Sequence, residues 1–225
     1  MTKEVAERYA DNLAPAIERV WEDGIASIRA DLREMLRRST EETTWVPAHF
    51  ELSFGLIERR DKDPKSVDEA VALDCGIRLR GSIDLVERRR DGSLRATDYK
   101  TGKARAADGT IIGGGEILQP VFYALTLEKL FPGERVDSGR LYYSTSNGEF
   151  RSVEIALDDE ARRAAADVAS TVGQALEEGF LPAAPVARGC EWCDYRPVCG
   201  PYEEQRTKRK RQDRLEPLIK LRKRV

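Results

Sequence analysis

Three ionisable residues, Asp84, Asp98 and Lys100, have the types and spacing of a metal-dependent hydrolytic site. Carboxylate oxygens are ligands that Mg²⁺ and Mn²⁺ prefer, and the bound ion polarises a phosphoryl group and makes hydroxide available from water. A neighbouring lysine would place that water and offset the charge that develops on the phosphate. The three residues therefore predict phosphodiester hydrolysis. The alternative is a surface hairpin whose charged side chains are simply solvated.

The residues between the two aspartates predict a hairpin that brings them together. Arg90–Gly92 supplies a three-residue turn, because its glycine adopts the left-handed backbone of the last position at little cost. If the residues that flank this turn pair with each other, Asp84 lies directly opposite Asp98, with Lys100 on the same face. Like charges placed opposite each other destabilise a sheet, so the pair indicates a cation between the two strands.

Two further motifs follow this hairpin in the chain. The full series is Gly81-x-x-Asp84, Asp98-x-Lys100-Thr101-Gly102, Gln119-x-x-x-Tyr123 and the cysteine group Cys190, Cys193 and Cys199. In this order and at these distances, the motifs resemble the RecB-like branch of the PD-(D/E)xK nucleases. The branch includes the nuclease domain of the AddB-type helicase-nuclease subunit and the CRISPR-associated RecB-like exonucleases. The resemblance covers residues 45 to 202.

The resemblance implies a role for each matched position. Asp84 and Asp98 would be metal ligands, and Lys100 would be the catalytic lysine. Gln119 and Tyr123 would support the site and meet the DNA strand. For Gln119 and Tyr123, ordinary helix packing is the alternative interpretation.

The local sequence predicts a helix that carries this last pair. Pro120 is tolerated in the first turn of a helix, so the helix is expected to begin at Gln119 and to run to about Leu130. Tyr123 then lies one turn later on the same face.

The sequence departs from the family before its first predicted strand. The family usually carries there a histidine on a helix and a still earlier cysteine that completes an iron cluster. The only histidine, His49, directly precedes the candidate strand and is interpreted as structural. Glu51 resembles an acidic strand position of the family and is kept as a supporting site residue. We therefore expect a shortened or fragmentary relative of a larger nuclease subunit, with impaired activity.

The cysteines predict a second metal centre. Cys190, Cys193 and Cys199 have the spacing of the family's [4Fe-4S] cluster and would supply three of its four thiolates. Cys75 is interpreted as a buried structural thiol, since free cysteine behaves as a small hydrophobe. The group of three could instead hold zinc with a borrowed fourth ligand, or it could be empty.

Length and composition set the class of the protein. The 225 residues, 40% of them hydrophobic, favour one domain with a sizeable core. A formal charge of −2 gives no global signal for nucleic acid, so any attraction must be local. The sequence shows neither an apolar run long enough for a membrane helix nor a signal peptide, so we expect a cytoplasmic protein without disulfides.

The predicted fold is a single α/β domain with a restriction-endonuclease-like mixed sheet of about five strands, flanked by helices. Its parts are a helical lead-in at 1–38, a nuclease core at 45–186, a cysteine lobe at 188–202 and a basic tail at 203–225. Pro15 and Gly24 are expected to bend or split the lead-in. Further expectations are a mobile loop at 103–115, a second hairpin from 140–143 and 150–155, and a helix at 158–179.

Residues 207–225 carry nine basic residues against two acidic ones. This segment could bind phosphates by counterion release, or it could be a solvated and partly disordered end. Around the cysteines, Arg188, Trp192, Tyr195 and Arg196 combine charge with surfaces on which bases could stack.

Taken together, these features predict a divalent-metal-dependent DNA nuclease that cleaves from an end and acts in DNA repair or recombination. Its expected partners are DNA and a helicase subunit. A non-catalytic DNA-binding or scaffold module of a helicase-nuclease complex is the competing hypothesis. A small zinc-stabilised structural domain is a third.

Overall fold

A five-stranded mixed sheet forms the centre of the fold in our computed structural model, which describes residues 2–57 and 61–224. The strands are β1 (Trp45–Phe54), β2 (Val71–Ala72), β3 (Arg78–Leu79), β4 (Gly81–Arg89), β5 (Leu94–Lys100), β6 (Val136–Tyr143) and β7 (Ser152–Ala156). The helices are α1 (Thr2–Leu13), α2 (Glu18–Glu41), α3 (Gln119–Leu130), α4 (Asp159–Glu177), α5 (Arg196–Cys199), α6 (Glu203–Thr207) and α7 (Gln212–Arg222).

The strand order β1-β4-β5-β6-β7 is antiparallel except between β5 and β6. Helix α3 connects these two parallel strands, and β2 pairs with β3 in a separate two-stranded ribbon. Parallel neighbours need such a crossover, because a tight turn can only reverse the chain. The mixed sheet flanked by helices confirms the predicted fold class.

The hairpin of β4 and β5 has the predicted register. Gly92 adopts φ +90°, and the backbone N–H of Arg89 donates to the carbonyl of Ser93 at 2.9 Å. The last paired position is Leu85 with Thr97. The next residues on the two strands are Asp84 and Asp98, so the same register places these two residues opposite each other.

Helix α3 packs against the sheet through a close approach of its backbone to the backbone of β6. At Gly139 in β6, a Cβ atom would lie only 2.0 Å from the carbonyl oxygen of Pro120, so this position has no room for a side chain. Buried residues of α3, among them Val121, Phe122 and Leu127, then pack into the main core. Helix α3 begins at Gln119 and ends at Leu130, as predicted.

The second predicted hairpin is also present. Strands β6 and β7 pair antiparallel, and a 3-10 turn at Ser146–Gly148 joins them. Glu149 and Phe150 follow this turn with left-handed backbones of φ 58° and 52°. Helix α4 covers the predicted range, because the carboxylate of Asp158 caps its first turn by accepting two backbone N–H groups at 2.9 Å.

The N-terminal lead-in is split once. The chain leaves helical geometry between α1 and α2, where Pro15 lies, and Gly24 stays inside an unbroken α2. The expected bend or split at Gly24 is therefore wrong, because an exposed glycine costs a helix only about 1 kcal/mol. No residue of α2 between 18 and 41 is buried, so its apolar stripe faces outward.

The C-terminal segment is folded, which corrects the expectation of a solvated, partly disordered end. Leu215 and Leu221 of α7 are 2% and 9% exposed, and α7 packs beside α4. The carbonyl of Arg224 accepts the N–H of Gly114, so the same segment fixes the loop at 103–115. Because Ile112 of that loop is fully buried, the expectation of a mobile loop is also wrong. Within the described ranges, no helix is long and apolar enough to cross a membrane.

Candidate active site

One side chain of strand β4, that of Asp84, bonds to the backbone of the neighbouring strand β5. Asp84 Oδ2 accepts the backbone N–H of Tyr99 at 2.8 Å, just beyond the last regular pair of the two strands. The carboxylate therefore replaces a strand-to-strand hydrogen bond, and this bond holds Asp84 against β5.

Asp98, Lys100 and Gln119 form a closed triangle of polar contacts. Gln119 Nε2 donates to Asp98 Oδ1 at 2.8 Å, and Lys100 Nζ donates to Gln119 Oε1 at 2.6 Å. Lys100 Nζ also lies 2.6 Å from Asp98 Oδ2. The predicted alternation of β5 places Asp98 and Lys100 on one face, and the amide of Gln119 joins them from the start of α3.

Tyr123 extends this group by one helical turn. Its hydroxyl lies 3.4 Å from Gln119 Nε2, and its ring meets the ring of Phe54 edge-on at a centroid distance of 6.2 Å. Tyr123 thus bridges the polar triangle and the apolar core, in the orientation expected for residues four apart on a helix.

The site holds more negative charge than its single lysine offsets. Asp98 is only 4% exposed, and this burial raises the pKa of its carboxyl; the Lys100 ammonium opposes the rise, and the Asp84 carboxylate adds to it. Burial likewise raises the pKa of Tyr123, with Asp98 and Asp84 contributing. The register of β4 with β5 places Asp84 opposite Asp98, so the two carboxylates lie on the same face of the sheet.

The donor set fits a magnesium-like ion in part. Asp98 Oδ2 is buried and its close polar neighbour is the Lys100 ammonium at 2.6 Å, so a metal ion at this oxygen would share it with Lys100. Among residues 2–57 and 61–224, no three or more His, Cys, Asp or Glu side chains are arranged to hold a metal. Mg²⁺ commonly uses one or two carboxylates together with waters and substrate phosphates, so Asp84 and Asp98 match that smaller requirement.

Glu51 lies in the same row of the sheet. The register of β1 with β4 places it opposite Asp84, so acidic residues occupy matching positions on three neighbouring strands. Its backbone is left-handed at φ 53°, and Glu51 Oε2 accepts a hydrogen bond from the Ser82 hydroxyl at 3.2 Å.

His49 makes contacts of a different kind. Its Nδ1 lies 3.2 Å from both carboxylate oxygens of Asp63, and its ring lies 5.0 Å from that of Phe131. These contacts agree with the structural interpretation of this histidine.

The cysteine group does not form the predicted cluster site. Cys190, Cys193 and Cys199 lie in turns and in the short helix α5, and the described part of the chain contains no metal-binding group that includes them. The iron-sulfur prediction therefore has no support, and we assign no chemistry to such a cluster. Cys75 packs against the main core, in agreement with a structural thiol.

A cleft that the sequence did not reveal opens directly beside Gln119. It has a volume of about 680 Å³, and Lys100 and Gln119 line its inner end. Lys103 and Arg105 line its wall. The charge of this loop is visible in the sequence, but its position depends on contacts with distant β6, which no local pattern reports.

Comparison with known proteins agrees with the site. The sequence matches the model of the PD-(D/E)XK nuclease superfamily over residues 1–200. The chain is also similar to the CRISPR-associated exonuclease Cas4/endonuclease Cas1 fusion of Myxococcus xanthus (strain DK1622), with 32% identity over 143 residues. This match covers 62% of the chain and 24% of that relative, so the chain spans about a quarter of the relative's length.

The fold and the family model together define the class to which the chain belongs, a family of nucleases. The chain belongs to the PD-(D/E)XK nuclease superfamily. The resemblance to a RecB-like nuclease is confirmed.

Proposed function

We propose that this protein is a divalent-metal-dependent deoxyribonuclease in which Asp84 and Asp98 hold Mg²⁺ or Mn²⁺. The observation that carries the proposal is the buried Asp98 carboxylate, which lies beside the Asp84 carboxylate and has one ammonium, that of Lys100 at 2.6 Å, to offset the two negative charges. A bound cation would relieve this excess of negative charge.

Each residue of the site has a distinct task in the proposed reaction. The ion, when bound, supplies polarisation of the phosphate and a more acidic water. Lys100 Nζ is fixed by contacts of 2.6 Å to both Asp98 and Gln119, so it is positioned to orient the attacking water and to offset charge on the phosphate.

Gln119 acts as a positioning residue, because its amide bonds both Asp98 and Lys100. Tyr123 Oη lies next to Gln119 and is placed to contact the substrate strand.

The finer aspects of the proposal rest on the relatives. The similar Myxococcus xanthus protein is named as a fusion that includes an exonuclease, which supports cleavage from an end of the strand. We propose DNA as the substrate and repair or recombination as the setting, with a helicase subunit as partner, on the family resemblance. Asp98→Asn separates this enzyme from a non-catalytic DNA-binding module.

The test is cleavage of end-labelled and circular DNA by the purified protein with Mg²⁺, with Mn²⁺ and with EDTA. We expect metal-dependent release of nucleotides from linear DNA and a loss of about 10³-fold in Asp98→Asn. Asp74→Asn is the matched control, since Asp74 is exposed and pairs with Lys129 on the surface. Equal activity of wild type and Asp98→Asn would overturn the proposal. Cleavage of circular DNA would exclude a strict exonuclease.

A further inference from the structure

The cleft beside Gln119 shares two residues with the proposed site. Lys100 and Gln119 belong both to the polar triangle and to the lining of the cleft, which has a volume of about 680 Å³. A nucleic-acid strand whose phosphate contacts Lys100 can therefore continue into this cleft. A volume of several hundred Å³ is typical of built ligand sites.

A buried tyrosine fixes the basic wall of the cleft. Tyr143 is 3% exposed, and its hydroxyl accepts the backbone N–H groups of Arg105 and Ala106 at 3.2 and 3.3 Å. Gly148 adds a second constraint, because a Cβ there would lie 2.8 Å from the carbonyl oxygen of Gly102. The loop that carries the basic side chains is thus held in one place.

Two basic side chains on this wall have no partner inside the protein. Lys103 and Arg105 are exposed, and neither side chain makes an ion pair or a hydrogen bond with any residue in 2–57 or 61–224. Arg151, which lies close by, is in contrast paired with Asp108 at 2.9 Å. Unpaired cations in a cleft attract anions more strongly than paired ones.

The start of α3 adds to the same preference for anions. Residues 116–120 also line the cleft, and the N-terminal end of a helix carries partial positive charge. Among the described residues that line the cleft, Glu116 is the one acidic residue, against Lys103 and Arg105, while Lys100 pairs with Asp98. The cleft therefore has an excess of positive charge.

We propose that Lys103 and Arg105 bind backbone phosphates of the substrate strand on one side of the scissile bond, inside this cleft. The inference rests on the proposed function, since it takes Lys100 and Asp98 as the place of cleavage. It adds two binding residues and the direction in which the strand leaves the site. Contacts to phosphates are independent of base sequence, so the cleft binds strands of any sequence.

The test measures binding separately from cleavage. Every protein carries Asp98→Asn and is kept in EDTA, and the probe is a fluorescent single-stranded oligonucleotide titrated at several salt concentrations. The test variant is Lys103→Gln with Arg105→Gln. The matched control is Arg90→Gln with Arg163→Gln, which removes the same charge from exposed sites outside the cleft.

Loss of two phosphate contacts predicts a fall of about 1.4 in the slope of log affinity against log salt, and about 25-fold weaker binding near 0.1 M salt. The control pair is expected to leave the slope unchanged. Lys103→Arg with Arg105→Lys retains both charges and is expected to keep the wild-type slope. Equal slopes in the test and control pairs would overturn the inference.

If the variant with Lys103→Gln and Arg105→Gln does not fold, a second measurement on the protein that keeps both basic residues tests the same inference. Saturating oligonucleotide is expected to slow acetylation of Lys103, and to leave that of exposed Lys65 unchanged, by mass spectrometry. Equal acetylation of Lys103 with and without oligonucleotide contradicts the inference. Failure of the wild type to cleave DNA overturns the proposed function alone, because neither binding measurement depends on cleavage.

Discussion

The two faces of strand β5 carry two groups of charged residues with opposite character. On one face, Arg95 and Thr97 join Glu87 in a buried network whose charges are paired. On the other face, Asp98 and Lys100 lie beside Asp84, and negative charge is in excess. Alternation along one strand separates these groups by a single residue.

The paired face contains many hydrogen bonds. Glu87 accepts from Arg95 Nε at 2.9 Å, from the Thr97 hydroxyl at 2.5 Å and from Arg140 Nη2 at 3.1 Å. Arg95 also reaches Glu154 and stacks on the ring of Trp45 at 4.5 Å. Within this described network, Arg95 Nη2 is the one buried nitrogen without a hydrogen-bond partner.

The difference between the faces separates structure from chemistry. A buried group of charges that is fully paired holds its strands in place and leaves no capacity for a ligand. Two neighbouring carboxylates that share one ammonium cost stability, and proteins keep such groups where a ligand completes them. From this comparison we propose a functional role for the Asp98 face and a structural role for the Glu87 face.

The largest expected effect is on activity at the Asp98 face. We expect Lys100→Met to lower the rate of DNA cleavage by about 10³- to 10⁴-fold, or about 4 to 5 kcal/mol, because water and phosphate lose their positioned cation. The melting temperature at pH 7 is expected to fall as well, because Asp98 loses the ammonium that lies 2.6 Å from its buried carboxylate, so activity is compared per folded molecule. Lys129→Met, on the surface of α3, is the matched control. A rate within tenfold of wild type would contradict this assignment.

The next effect is on stability at the Glu87 face. Glu87→Ala leaves Arg95 and Arg140 buried without their carboxylate, so we expect a loss of about 3 to 5 kcal/mol in the free energy of unfolding. Activity per folded molecule is expected to remain. Denaturant unfolding measures the loss. Glu154→Ala is the control, and it should cost about 1 kcal/mol or less, because Glu154 is partly exposed. Equal losses in both variants would remove the distinction between the faces.

The smallest effect is a gain in stability from Asp98→Asn without divalent ions. Burial raises the pKa of Asp98 in the folded state, so its charged form destabilises the fold. This cost is complete above the raised pKa and disappears as the pH falls below the ordinary pKa of aspartate. We therefore expect the melting temperature of Asp98→Asn at pH 7 to exceed wild type by about 2 to 4 °C, and the gain to vanish in acid.

For Asp91, in the turn of the same hairpin, we expect a change in melting temperature of the opposite sign. The backbone N–H of Ser93 holds the pKa of Asp91 below its usual value, so its charged form stabilises the fold. Asp91→Asn is expected to lower the melting temperature at pH 7, with the difference fading as the pH falls through that lowered pKa. Shifts of the same sign in both variants would contradict the account.

Local sequence predicted those features that depend on neighbouring residues. The turn with Gly92 gave the register that places Asp84 beside Asp98, and Pro120 gave the start of α3. Both follow from backbone preferences over a few residues, which a sequence displays directly.

Features that depend on distant contacts were not predictable in this way. The Glu87 network joins residues of β4, β5, β6 and β7, and its members look like ordinary surface charges in the sequence. The basic C-terminal segment hides two leucines, Leu215 and Leu221, whose burial depends on α4 and the loop at 103–115. The family match ends at residue 200, before this helix begins.

The most direct test of the central claim is a calorimetric titration of the metal-free protein with Mn²⁺. The account predicts binding at the Asp84 and Asp98 pair in wild type and its loss in both Asp84→Asn and Asp98→Asn. Glu154→Gln, which removes a carboxylate from the paired face, should bind as wild type does. Unchanged Mn²⁺ binding in the two aspartate variants, or its absence in wild type, would contradict the claim that the two carboxylates jointly hold a cation.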